Sequence, residues 1–273
     1  MTAQDQVSSQ PVLLETLKAG VLTLTLNRPE RLNALNAALI EALSAGVARA
    51  KAEPECRAVL ITGAGRGFCA GADLANRAFA PGDARPDLGQ ALDKGLNPIV
   101  RAIRGLQKPV VCAVNGPAAG AGANIALACD IVLAAKSAQF LQAFARIGLI
   151  PDAGGTFVLP RLIGEARARA LMMLAEPVKA EQAEALGMIY RAVDDADLMG
   201  EAHVLAERLA AGPTQALGLL KRALSASPTN NLDAQLDLER DLQREAGAGD
   251  EYVEGVRAFL DKRPADFRRK ANA

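Results

Sequence analysis

One unit that occurs twice constrains this chain more than anything else in it. RAVLITGAGRGFCAGADL (57–74) and PVVCAVNGPAAGAGANIALACD (109–130) each run an apolar stretch of strand length into a glycine-rich turn. In the second copy a helix-like stretch, AGANIALACD, follows at once. A short apolar run bounded by turn residues reads as a strand buried on both faces, and such strands belong to parallel sheets with helical crossovers. The flanks agree. VLLETLKAGVLTLTLNRP (12–29) reads as two short strands about the turn Lys18-Ala19-Gly20. NAALIEALSAGVARAKAEP (36–54) has apolar residues at helical spacing, an asparagine cap and a stop at Pro54, and DIVLAA (130–135) is a further strand. Strands alternating with helices predict an α/β core with right-handed crossovers.

After about residue 195 the pattern changes. Stretches 198–213, 214–227, 229–249 and 251–263 are all helical in period, separated by Gly-Pro, Ser-Pro and Gly-Ala-Gly breaks. The expected organisation is therefore a core over 1–195 and a helical region over 196–273. Helix 229–246 carries Leu232, Leu236, Leu238 and Leu242, more than one narrow face against its own chain would use.

Composition excludes several functions. Lys plus Arg equals Asp plus Glu at 31 each, so no basic surface recommends a nucleic-acid partner. No apolar run reaches the length of a membrane span, and the polar start MTAQDQVSSQ lacks a signal pattern, so a cytoplasmic protein is expected. The four cysteines form no C-x-x-C pair, and the single histidine, His203, is remote on a charged helical stretch and reads as solvent-facing. A metal site is not expected, and the cysteines read as buried thiols in a reducing compartment.

Three segments carry candidate chemistry. GAGRGFCAGADL (63–74) misses the G-x-G-x-x-G spacing of a dinucleotide loop. In NGPAAGAGANIAL (115–127) small residues leave backbone N–H groups free at a helix start, where partial positive charge suits a developing anion. Two such loops could each give one N–H to a single oxygen. Tight helix–sheet packing would ask for the same small residues. LIPDAGGT (149–156) sets Asp152 among apolar and small neighbours, either as a turn former or as a carboxylate with a task.

LNRPERLNALN (26–36), GFCAGADL (67–74), VNGPAAGAGANIALACD (114–130) and GLIPDAGGTFVLPRLIG (148–164), in that order, resemble the crotonase, or enoyl-CoA hydratase/isomerase, superfamily over about residues 12–267. The resemblance implies a spiral core of ββα units, a C-terminal helical region used in trimerisation, and acyl-CoA thioester substrates with no metal or redox cofactor. It implies an oxyanion hole from the backbone N–H groups of Ala72, after Gly71, and Ala121, after Gly120. It also places Arg31 near the CoA phosphates, Ala70, Asp73 and Leu74 around the adenine, and Phe259 and Lys262 at the CoA from this or a neighbouring subunit.

The two glutamates with which hydratases of that superfamily add water would fall at Asn124 and Phe144. Neither side chain exchanges a proton, so straight hydration is disfavoured and Asn124 reads as a structural hydrogen-bonding residue. Asp152 then becomes the candidate base. Phe144 reads as a pocket wall, and Phe140, Leu149 and Ile150 read as core packing or as the rest of a dry acyl pocket. FARIGLIPDAGGT and the C-terminal pattern most resemble the isomerases of ring-1,2-epoxyphenylacetyl-CoA in aerobic phenylacetate breakdown, which also shift double bonds in enoyl-CoAs. A general enoyl-CoA hydratase is the nearest alternative. A dehalogenase of the same fold is disfavoured by the absence of tryptophan. From another class, a non-catalytic RNA-binding relative is disfavoured by the neutral charge. The expected assembly is a homotrimer or a dimer of trimers.

Overall fold

The computed structural model describes residues 10–75 and 85–268. In chain order its strands are β1 (Leu13–Lys18), β2 (Val21–Leu26), β3 (Ala58–Gly63), β4 (Val110–Val114), β5 (Ala118–Ala119), β6 (Ile131–Ala135), β7 (Gln139–Leu141), β8 (Pro177–Lys179) and β9 (Arg191–Val193). The core helices are α1 (Ala37–Ala52), α2 (Leu88–Lys94), α3 (Leu96–Gly105), α4 (Ala121–Ala128), α5 (Gly155–Ile163), α6 (Glu165–Leu174) and α7 (Ala180–Ala185). Then come α8 (Leu198–Ala211), α9 (Thr214–Ala226), α10 (Leu232–Gly247) and α11 (Asp250–Leu260).

Six strands form one sheet in the order β1-β2-β3-β4-β6-β9, parallel throughout except for the β1–β2 hairpin. The doubly apolar runs sit at its centre: every residue of β4 is buried, as is all of β3 except Gly63. Helix α8 packs on β2, β3, β4 and β6, and α1 on β1 and β2. Local chemistry sets the ends of α1. The Asn36 side chain accepts from the Leu39 N–H at 2.9 Å, and Lys108 Nζ donates to the carbonyls of Ala50 (2.6 Å) and Glu53 (2.9 Å) at the other end. A second sheet, β5-β7-β8, is small and lies beside the glycine loops.

The predicted strands and helices of the first 135 residues are all present. Short elements were not foreseen: β5, β7, β8 and β9 have two or three residues each, too few for a period to show. Helices α2 and α3 were not foreseen either, and on α3 Leu96, Ile99 and Ile103 turn one face inward. Much of the FAPGDARPDLG loop, and the N-terminal MTAQDQVSS, lie outside the described residues.

Whereas α8 is part of the core, α9 joins it at a few fitted points. A Cβ on Gly218 of α9 would stand 2.6 Å from the Gln107 carbonyl oxygen, so α9 lies directly on the backbone there. Three residues on, Lys221 pairs with Asp130 at 2.7 Å. Burial pushes the Asp130 carboxyl above its ordinary range, against the pull of that lysine. Arg57 donates to the carbonyls of Ala210 and Gly212 at the end of α8.

Candidate active site

The two glycine loops are laced to each other by backbone. The N–H groups of Phe68 and Cys69 both donate to the Pro117 carbonyl (3.1 and 3.2 Å), and the Ala119 N–H donates to the Cys69 carbonyl (2.9 Å). This approach is possible only without side chains. A Cβ on Gly122 would lie 2.5 Å from Cys69 O, and one on Gly71 would lie 2.8 Å from Ala119 O. Gly71 also has φ +89°, a left-handed backbone that favours glycine.

Two N–H groups stand at this junction, those of Ala72 and Ala121. Gly71 O accepts from the Leu35 N–H and the Asp73 N–H donates to Leu35 O, so both neighbours of Ala72 bond toward Leu35. Successive residues of an extended chain turn their N–H groups to opposite sides, which aims the Ala72 N–H away from Leu35. Across from it, the position of a Gly71 Cβ is 3.7 Å from Ala121 N, the first nitrogen of α4. Gly120, just before that helix, has φ +51°. Among the described residues neither the Ala72 nor the Ala121 N–H has an acceptor.

The rest of the site stands around the start of α4. Phe144, on a short 3-10 helix (Ala143–Ile147), is buried, with Cζ 3.6 Å from where a Gly120 Cβ would be. Asp152 lies two residues before Gly154, the cap of α5. Its backbone carbonyl accepts from the Gly155 N–H (2.9 Å) and from Asn124 Nδ2 (2.8 Å), and its Oδ1 is shut off from the surface. Ala153 and Gly154 follow at φ +47° and +79°, so the turn is tight and made by backbone. Asn124 is buried on α4 and hydrogen-bonded at both ends, since its Oδ1 accepts from Gln142 Nε2 at 2.8 Å. It is a structural amide in this fold.

Arg31 is exposed at the end of the short 3-10 helix Pro29–Arg31, beside the first loop. Ala70, Ala72 and Leu74 are exposed along that loop, and the Ala70 N–H donates to Leu32 O. The carboxylate of Asp73 is engaged: it accepts from the Ala75 N–H (3.1 Å) and pairs with Arg28 (2.9 Å). Those two contacts, with Arg31 nearby, hold it below the ordinary carboxylate range. Two residues here escaped the sequence reading. Arg28 also ties the loop through Ala34 O, and Gln142 is the partner of Asn124. The only trace of Gln142 is a lone amide inside the apolar run FLQAF.

Several expectations change. Leu149 and Ile150 are exposed, Ile150 by 81%, so neither is core. They sit on an outward bend between the 3-10 helix and the Asp152 turn. His203 is half-buried, because α8 presses on the sheet. Phe259 is 82% exposed and lines a cavity of about 410 Å³ with residues of α9, α10 and α11, and Lys262 follows that helix. Within one chain neither is brought to the glycine loops. All four cysteines are buried free thiols, and the described residues hold no group of three or more His, Cys, Asp or Glu placed to bind a metal. No described helix is long and apolar enough to cross a membrane.

Comparison with known proteins adds the following. The enoyl-CoA hydratase/isomerase family profile matches residues 16–270. The chain is 52% identical over 255 residues to the 1,2-epoxyphenylacetyl-CoA isomerase of Escherichia coli K12, covering 93% of this chain and 97% of that one. It is 48% identical over 251 residues to a protein of Rhodobacter capsulatus named a probable enoyl-CoA hydratase (92% and 95% covered). The crystal structure of an enoyl-CoA hydratase from Bacillus anthracis superposes with a TM-score of 0.89 at 32% identity, covering 95% of this chain and all of that one.

Proposed function

Since the chain belongs to the enoyl-CoA hydratase/isomerase family, we propose that it is an acyl-CoA isomerase in which two backbone N–H groups hold the thioester oxygen and Asp152 moves the proton. The observation that carries this reading is the amide–aromatic replacement at the start of α4. Asn124 is locked between Gln142 and the Asp152 carbonyl, and Phe144 presents only a ring to Gly120. In the loops 63–74 and 115–124 and the segment 139–155 the acidic residues are Asp73 and Asp152 alone, and Asp73 is paired with Arg28. Hydration needs one group to activate water and another to deliver the α-proton. Isomerisation needs one group that takes a proton and returns it elsewhere.

The roles follow from charge. As a proton leaves the acyl chain, negative charge gathers on the thioester oxygen. The Ala72 and Ala121 N–H groups and the positive end of α4 stabilise it, and each such donor is worth about 10²–10³ in rate. Asp152 receives the proton at one carbon and gives it back at another. The buried ring of Phe144 keeps water from the intermediate. For the acyl group, the 52% identical relative favours ring-1,2-epoxyphenylacetyl-CoA going to its seven-membered oxepin, with enoyl-CoAs undergoing double-bond shifts as the wider class. Arg31 lies by the CoA phosphates, and the backbone at Ala70, Asp73 and Leu74 surrounds the adenine. Phe259 and Lys262 come from a neighbouring copy, because in their own chain they stand apart from the loops.

Asp152→Asn tests the reading. It preserves shape and the backbone-made turn, and should lower double-bond migration and α-proton exchange into deuterated water by about 10²–10⁴ while leaving acyl-CoA affinity nearly unchanged. Wild-type rates for both would leave Asp152 as a turn residue and end the proposal.

A further inference from the structure

Three polar groups at the Asp152 turn, two of them buried amides, form a chain whose direction is forced. The Asp152 backbone carbonyl can only accept, so Asn124 must offer it the NH₂ end of its amide, at 2.8 Å. That leaves Asn124 Oδ1, an acceptor, facing Gln142, which must in turn offer its own NH₂, also at 2.8 Å. Gln142 Oε1 is what remains, buried and with no donor among the described residues. Two amides thus run from Gln142, just past β7, through α4 to the residue proposed as base, and no alternative flip satisfies both contacts.

The turn closes on that amide from its own side as well, since the Gly155 N–H donates to the same Asp152 carbonyl at 2.9 Å. Ala153 and Gly154 hold left-handed backbone on its far side, and Gly155 fits against the Asn124 amide so closely that a Cβ would meet Nδ2 at 2.3 Å. The Asn124 amide thus ties the Asp152 backbone to α4, and α4 carries the Ala121 N–H. We infer that Gln142 is a positioning residue for the isomerisation: by donating to Asn124 Oδ1 it fixes the Asp152 backbone, and with it the carboxylate, at the start of α4. This inference rests on the reading of Asp152 as the base.

A double-mutant cycle tests it. Gln142→Leu removes the donor, and Gln142→Met, nearly the length of glutamine, is the milder variant should leucine prevent folding. Displacement of a reacting group by about 1 Å costs up to about 10² in rate, so kcat should fall about ten- to hundredfold with KM within about threefold of wild type. In the Asp152→Asn background the same Gln142 change should lower the residual rate no further, because there is no base left to position. A loss of equal size in both backgrounds, or a KM rise in place of the kcat loss, would make Gln142 a general packing residue and overturn the inference. The underlying reading fails separately: an Asp152→Asn enzyme at wild-type rate removes the base itself. An inactive Asp152→Asn enzyme beside a fully active Gln142→Met enzyme removes only the role of Gln142.

Discussion

Helices α4 and α10 are both rich in alanine and leucine patterns, yet they end in opposite environments. All eight residues of α4 are buried. Of the sixteen in α10 only Leu242 is, while Leu232 and Leu236 stand 72% and 52% exposed. The contrast separates two uses of apolar sequence. Around α4, burial makes a rigid platform on which backbone N–H groups can be aimed, since close-packed neighbours leave no room to shift. Along α10 Leu232 and Leu236 face outward, and an exposed apolar surface of that kind marks a place where another molecule is met.

The sharpest way to break this contrast is to overpack the platform. Gly122→Ala puts a methyl group 2.5 Å from the Cys69 carbonyl oxygen and 2.6 Å from its Cβ and Sγ. The change should cost about 3 kcal/mol, read by denaturant unfolding, and should weaken acyl-CoA binding with it. A loss below about 1 kcal/mol would show that the loops yield at this point. Ligand binding should strengthen the same region. An unreactive acyl-CoA at a hundredfold excess over its dissociation constant should add about 2.7 kcal/mol by mass action, and an unmoved melting curve would contradict a thioester site here.

On the α10 side, Leu236→Ser should change single-chain stability by no more than about 0.5 kcal/mol. It should nevertheless loosen a trimer or dimer of trimers in sedimentation at micromolar concentration. A wild-type protein that sediments as a monomer would mean that this face has another purpose. The smallest effect concerns Glu254 on α11, whose hydrogen bonds from Arg263 and the Asp266 N–H bring its carboxyl down to about 2. A depressed carboxylate stabilises above its ordinary pKa and loses that contribution as pH falls toward 2. Carboxyl titration followed by NMR should therefore find Glu254 still ionised at pH 3.5, and a midpoint near 4.5 would show the ion pair open in solution.

The platform was far more legible in sequence than the machinery behind it. β3, β4, α1 and α4 declare themselves through continuous apolar runs, an asparagine cap and glycine turns, all local signals. Asp152 could be singled out because a carboxylate among apolar residues is costly, although the residues alone favoured a plain turn. Gln142 and Arg28 could not be found in that way. Each acts on a partner distant in the chain, Gln142 on Asn124 and Arg28 on Asp73, and neither spacing follows a helix or strand period. The outward position of Ile150 was hidden for the opposite reason. Hydrophobicity says that a side chain prefers to leave water and is silent on whether its own chain or another covers it.

The lacing of the two glycine loops also bears on how the protein is made. Cys69 meets Pro117 and Ala119 across a long excursion of chain that includes α2 and α3, and Gly71 reaches α4 only when β3 lies beside β4. Bringing such distant partners together is a slow, non-local step, with its entropy lost before any contact repays it. During synthesis a nascent chain can hold a finished β1–β2 hairpin and a formed α1 and still have no place for a thioester. Competence for acyl-CoA should therefore arrive late and all at once, as a signal that the central sheet has closed.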